Sequence, residues 1–208
     1  METSKALKIV ADFKGENLKQ SLNVLRAELI GKGKNQINQP LGLYEASLEV
    51  KRLSAQIDEM LHASGIIKCL PAILDNGEII ESLSLASGAD GEGIDLVTNK
   101  RIAEFKFSKW QIGKANGMRK RQVFADLVQL YINPSKKKKE LYVLSYDMVF
   151  KFVQSKKAMN KNVLSKSGGL DKKLEAYLFK NKLEAIYLND IYSRSNVKII
   201  DIETILKK

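Results

Sequence analysis

Three features of the sequence predict an α/β fold. Alternating apolar runs of strand type meet at Asn99-Lys100, helix-period patterns precede and follow them, and 44% apolar residues over 208 positions suffice for a true hydrophobic core. Along the chain, Glu16 to Leu29 reads as an amphipathic helix and Gly31 to Pro40 as a loop, making residues 1–40 an N-terminal helical extension. Leu41 to Ala63 carries a long helical pattern stopped by Ser64-Gly65. Its polar residues form two stripes, Ser47/Lys51/Ser54/Asp58 and Glu45/Glu49/Arg52/Gln56. One stripe faces solvent. The other either places Glu45 and Glu49 at the edge of a polar pocket or makes local ion pairs with Arg52 nearby. Ile66 to Leu74 and Ile79 to Ala86 read as strands joined by a hairpin turn at Asp75-Asn-Gly77. Ser87 to Gly93 reads as a loop whose Asp90 and Glu92 are either metal contacts or solvated.

Beyond the ribbon around Asn99-Lys100, Ser108 to Gly117 is expected to be a loop, with Trp110 either stacking on a base or packed in the core. Met118 to Ile132 is a predicted helix with Val123, Phe124, Leu127 and Tyr131 on one apolar stripe, and Leu141 to Tyr146 a predicted sheet strand. The last third, residues 147–208, reads as a C-terminal helical addition packed on a core of residues 41–146. It holds helices at Asp147–Leu164 and Leu170–Tyr192, a break at Ser165–Gly169 and a final strand at Val197–Ile202.

The chemistry concentrates in the ribbon Gly93 to Phe107. With Asn99-Lys100 as a two-residue hairpin turn, residues equidistant from it face each other, so Asp95 opposes Glu104. Alternation puts Asp95, Val97, Ile102, Glu104 and Lys106 on one face and Leu96, Ala103, Phe105 and Phe107 on the other. Two facing carboxylates repel unless a cation lies between them. A hard divalent ion such as Mg²⁺ or Mn²⁺ suits their oxygens. A surface hairpin with an ion pair from Lys106 to Glu104 or Asp95 accounts for the same spacing.

Charge and composition narrow the classes. Lys+Arg of 35 against Asp+Glu of 24 leaves a net charge of +11, which favours a polyanionic partner, nucleic acid first. Arg119, Lys120 and Arg121, in the first turn of the helix that holds Gln122, are the leading phosphate contacts, since cations there oppose the helix dipole unless an anion relieves them. The exposed run Lys136, Lys137, Lys138 and Lys139 is a second such site or a solvated loop. No apolar run is long enough to span a bilayer, and the first residues lack a signal-peptide core, which leads to the expectation of a cytoplasmic, membrane-free protein. One cysteine, Cys69, and one histidine, His62, read as packing residues and supply no zinc set. A phosphate-binding Gly-rich loop is absent, and the single histidine limits any Ser/His/Asp set to His62, which argues against triad hydrolases.

Asp95, eight intervening residues and then Glu104-Phe105-Lys106 resemble the PD-(D/E)xK, or restriction-endonuclease-like, nuclease superfamily. The resemblance covers roughly residues 41–146, with Ile94 where a proline is common and without a Gln-x-x-x-Tyr signature. It implies an αβββαβ core with a mixed central sheet, and a metal-dependent nuclease or endonuclease, a phosphodiester hydrolase with DNA favoured over RNA. Asp95 and Glu104 would hold Mg²⁺ or Mn²⁺ with the Phe105 carbonyl, and a helix glutamate, Glu49 before Glu45, would complete the site. Lys106 would orient or deprotonate water or stabilise transition-state charge. A homodimer is compatible with this picture. A nucleic-acid-binding module without catalysis and a basic interaction protein for an acidic partner are the alternatives.

Overall fold

A computed structural model describes residues 1–32, 36, 42–55, 57–85, 93–112 and 116–207. The Gly31–Pro40 loop and the Asp90/Glu92 segment therefore fall largely or wholly outside the described residues. The chain divides into two compact units, Met1–Asp58 and Glu59–Lys208, whereas the boundary expected from sequence lies at residue 40.

The first unit contains α1 (Thr3–Lys14), α2 (Leu18–Leu29) and α3 (Leu43–Ser54). Asn17 starts α2 by accepting hydrogen bonds from the Lys19 and Gln20 N–H groups, which satisfies donors that a helix end leaves open. Helices α1 and α3 pack together around Ala6 and Ala46, small residues that permit close approach.

The second unit takes in α4 (Ile57–Ile73) from Glu59 onward and continues as β1 (Ile80–Leu83), β2 (Leu96–Thr98), β3 (Arg101–Lys106), α5 (Gly117–Ile132) and β4 (Lys138–Val143). After these come α6 (Tyr146–Val153), α7 (Asn160–Leu164), α8 (Leu170–Lys180), α9 (Leu188–Arg194), β5 (Val197–Asp201) and α10 (Glu203–Leu206). The five strands form one mixed sheet in sequence order, antiparallel from β1 to β3 and parallel from β3 to β5. Parallel neighbours need a crossover, which α5 supplies for β3–β4 and α6 to α9 for β4–β5. The C-terminal residues thus add an edge strand to the central sheet. No described helix is long and apolar enough to cross a membrane.

Strand alternation splits the core into two faces. Ile102, Leu141, Val143, Val197 and Ile199 pack against α5 and the C-terminal helices, while Leu96, Ala103, Phe105 and Tyr142 pack against Ile66, Cys69 and Ile73 of α4. Cys69 and Trp110 are both buried core residues. Two sequence expectations are corrected here. The pattern predicted as one helix to Ala63 and a strand at Ile66–Leu74 forms α3 and then α4, because a short apolar run fits a buried helix as well as a buried strand. The Asp75-Asn-Gly77 turn exists, with Gly77 at φ +69° and Glu78 N–H donating to Asp75 O, but it joins a helix to a strand.

Arg101, 3% exposed, anchors the far end of β3. Its Nε and Nη2 donate to the two Glu78 carboxylate oxygens at 2.6 Å each, and its Nη1 donates to Glu140 Oε2 at 2.7 Å. Those hydrogen bonds from Arg101 outweigh burial and hold the Glu78 pKa down to about 2.

Gly65 marks where α4 comes closest to the sheet: a Cβ there would lie 2.5 Å from Phe107 Cε1. Gly65→Ala should destabilise the protein by about 1–3 kcal/mol through overpacking. Alanine otherwise gains about 1 kcal/mol over glycine in a helix, so a net loss isolates this contact. Denaturant titration should show the loss in Gly65→Ala and partial recovery in Gly65→Ala/Phe107→Leu; an unchanged or more stable single variant would contradict the close packing.

Candidate active site

The pairing of Leu96 with Ala103 and Val97 with Ile102 is the register that a turn at Asn99-Lys100 requires, and continued by one position it sets Asp95 opposite Glu104. Asp95 is held at the strand end by two partners. Its Oδ2 accepts from the Phe105 backbone N–H at 2.8 Å, and its Oδ1 lies 3.2 Å from His62 Nε2. Facing an ionised carboxylate, that nitrogen carries the proton. His62, expected only to pack, does so edge-on against Phe107 and also reaches Asp95. Because N–H and C=O of one strand residue point to the same side, the Phe105 carbonyl is directed toward the Asp95 flank as well.

Glu104 and Lys106 leave β3 on the α5 side, where Asp126 of α5 meets them. Lys106 Nζ forms an ion pair with Asp126 Oδ2 at 2.9 Å and lies 3.6 Å from Glu104 Oε2. Glu104 is 2% exposed, and its Oε1 is buried with no hydrogen-bond partner among the described residues. A polar atom in that position costs roughly 1–3 kcal/mol, more when charged.

Electrostatics follow from three carboxylates sharing one ammonium. Burial, with the charges of Asp126 and Asp95 alongside, pushes the Glu104 pKa up to about 10. Burial also raises Asp126 despite the Lys106 ammonium. Burial acts against the charge on Lys106, but Asp126, Glu104 and Asp95 outweigh it and raise its pKa above the ordinary lysine value. Burial likewise opposes ionisation of Asp95, yet the His62 hydrogen bond, the Lys106 charge and the Phe105 N–H keep its pKa below the usual carboxylate range. At neutral pH Glu104 is protonated while Asp95 is ionised. Among the described residues no three His, Cys, Asp or Glu side chains are grouped to hold a metal ion, and Lys106 stands between Glu104 and Asp126.

The remaining sequence candidates divide. Glu49 receives two hydrogen bonds from Arg52, at 3.0 and 2.9 Å, and one from Thr3, all within its own unit, so the local ion-pair reading of that stripe describes it. Glu45 is exposed on α3. The third carboxylate brought to Asp95 and Glu104 is Asp126, which sequence reasoning passed over. It is the only acidic residue of the Gly117–Ile132 helix and lies four residues from Gln122 and three from Gln129, a polar stripe opposite the apolar one.

Arg119, Lys120, Arg121 and Gln122 do occupy the start of α5. Arg119 Nη1 donates to Asn116 Oδ1 at 3.4 Å and Lys120 Nζ sits over the Phe152 ring, while Arg121 and Gln122 line a groove together with Asp126. The lysine run is not the uniformly exposed patch that was expected. Lys139 is buried and donates to the Tyr131 and Asn133 carbonyls at the end of α5, Lys138 pairs with Asp75 at 2.8 Å and Lys137 with Glu81 at 2.5 Å. Cations suit a helix C-terminus, which holds Lys139, and with the two ion pairs three of the four lysines are engaged by the protein itself. Lys136 remains exposed.

In comparisons with known proteins, no family model, curated protein or solved structure matches the chain.

The raised Glu104 pKa makes stability depend on pH. Between the unfolded value near 4.5 and the folded value of about 10, the native state holds a proton that the unfolded state releases. Stability is therefore full below the lower value and declines as pH rises toward the upper one, by at most about 1.4 kcal/mol per pH unit for one proton. In EDTA, denaturation midpoints measured from pH 5 to 9 should fall steadily for the native chain. Glu104→Gln, which mimics the protonated acid, should flatten the profile and be the more stable protein at pH 9. Parallel profiles would show that Glu104 does not carry the buried proton.

Proposed function

We propose that this chain is a metal-dependent nuclease that hydrolyses phosphodiester bonds, with DNA favoured as substrate. The observation that carries the reading is the buried Glu104 carboxyl, one oxygen without a partner, set across a hairpin from Asp95 with Lys106 beside it. The element order α4–β1–β2–β3–α5–β4, with β3 and β4 parallel, supports it, because it is the αβββαβ order that the Asp95…Glu104-Phe105-Lys106 resemblance implies. The net charge of +11 fits a polyanionic substrate.

The donor chemistry fits Mg²⁺ or Mn²⁺. Asp95 and Glu104 offer hard oxygens, the Phe105 carbonyl is directed to the same flank, and a cation there would relieve the orphaned oxygen and offset the burial and carboxylate repulsion that keep Glu104 protonated. When bound, such an ion supplies positive charge that keeps both carboxylates ionised and a Lewis acid for the phosphate. The chain's own residues do the rest. The His62 contact and the Phe105 N–H fix the Asp95 carboxylate in orientation. Lys106, kept positive by its anionic neighbours, serves to stabilise negative charge on the phosphate in the transition state; as a general base it would first have to lose a proton that those neighbours hold. Asp126, paired with Lys106, takes the position of the helix-borne carboxylate expected of Glu49 or Glu45 and sets where the ammonium points.

Supercoiled plasmid, linear DNA and RNA incubated with Mg²⁺, Mn²⁺ or EDTA test the proposal. Cleavage should require the ion. Asp95→Asn and Lys106→Ala should each lower the rate by at least about 100-fold, the scale of losing one transition-state charge stabiliser. Lys109→Ala, whose exposed side chain pairs with Glu203, should retain most activity. Mn²⁺ should raise the melting temperature of the native chain and leave Asp95→Asn unmoved, since only a ligand that binds the folded state stabilises it. Cleavage by Lys106→Ala at the native rate, with EDTA stopping both proteins, would overturn the assigned roles.

A further inference from the structure

Beside the carboxylate cluster, α5 and the turn leading into α8 enclose a groove of about 670 Å³, and Asp126 stands in its wall. Three cations line it: Arg121 from α5, Lys166 from the turn and Lys173 from α8. None of the three makes an ion pair among the described residues, in contrast to Lys137 and Lys138. A smaller hollow of about 330 Å³ shares Arg121 and Lys166 and extends the basic track to Lys120. The lining is not only basic. Met118, 70% exposed, together with Ile132 and Leu170, gives the groove an apolar wall.

We propose that this groove binds a single strand of nucleic acid, with phosphates on Arg121, Lys166 and Lys173 and base faces against Met118, Ile132 and Leu170. The binding claim stands on the groove itself; that the bound strand runs past Asp126 to Asp95, Glu104 and Lys106 rests on the nuclease reading. Two physical arguments favour a single strand over a duplex. A concave surface with unpaired cations holds phosphates equally well from either, but an apolar wall is satisfied only by bases whose faces are available, and a duplex keeps its bases stacked inside. The groove's volume lies within the 300–1,000 Å³ typical of sites for small organic ligands, so it accommodates a nucleotide or two, while a duplex would lie across its mouth. Asp126 does not bar an anionic strand, because the Lys106 ammonium 2.9 Å away offsets its charge.

Fluorescence anisotropy in EDTA, where cleavage is stopped, tests this with labelled single-stranded DNA, RNA of the same sequence and blunt duplex DNA. Single strands should bind at least tenfold more tightly than duplex. Arg121→Gln, Lys166→Gln and Lys173→Gln combined should weaken single-strand binding by at least tenfold and reduce the slope of log affinity against log salt by up to about 2, near 0.7 for each lost phosphate contact. Lys173→Gln alone, on an exposed helix position, should show about a third of that slope change. Melting curves confirm that both proteins are folded. Unchanged affinity and slope in the variants overturn the groove, and duplex binding equal to or tighter than single-strand binding overturns the strand assignment. Cleavage assays with Mg²⁺ on the same proteins separate the two proposals. A chain that cleaves while the triple variant binds like the native one refutes only the groove, and a chain that binds through the groove but never cleaves refutes only the nuclease reading.

Discussion

Three buried or half-buried carboxylates, Asp95, Glu104 and Asp126, share a single ammonium, Lys106, and that imbalance governs the second unit's chemistry. An uncompensated buried charge costs several kcal/mol against a total stability of roughly 5–15 kcal/mol, so a fold of this size cannot carry two of them. The molecule has two ways out. It can protonate the most buried acid, which is the state Glu104 adopts near neutrality, or it can admit a second cation. The proposed activity uses the second route, and the pH dependence of the metal-free protein follows from the first.

The cluster is a product of topology at several ranges. The antiparallel β2–β3 register sets Asp95 against Glu104, and strand alternation adds Lys106 on the same face. The parallel β3–β4 pair then requires a crossover, and α5 returns over that face with Asp126 directed at Lys106. From the opposite face α4 contributes His62 at the strand end, where Gly65 allows the helix to approach Phe107.

How far the sequence reveals this depends on the range of the interaction. The facing of Asp95 and Glu104 is legible because a two-residue turn and a period of two fix it within a dozen residues. The Met118–Ile132 helix is legible because Val123, Phe124, Leu127 and Tyr131 repeat at helical spacing, and all four are buried. Asp126 is visible only as one acid on the polar side of that helix; its partner is decided by which strand the helix crosses, which local pattern does not encode. The same limit explains the lysine run, whose partners Asp75, Glu81 and the α5 carbonyl end come from elsewhere in the chain. For Ile66–Leu74 the obstacle is different. A short apolar run has no period to read and suits a buried helix as well as a buried strand, so nothing local shows that residues 66–73 continue α4.

The two ends of β3 offer an internal comparison of how the protein treats buried charge. At one end Arg101 is matched by Glu78 and Glu140, and Tyr142 donates its hydroxyl proton to Glu140 at 2.7 Å, so the charges and hydrogen-bonding groups there are answered by neighbours. At the other end, three residues along, Glu104 keeps an unanswered oxygen and a proton it would lose in water. Both ends lie in the same strand under the same solvent exclusion, so burial alone does not produce the difference. A structural ion cluster closes its hydrogen bonds, whereas a buried oxygen left open calls for an explanation of its own, and the proposed activity offers one. By that criterion the Arg101 end holds the sheet to its turn, and the Glu104 end is where the fold accepts a penalty that a bound cation would remove.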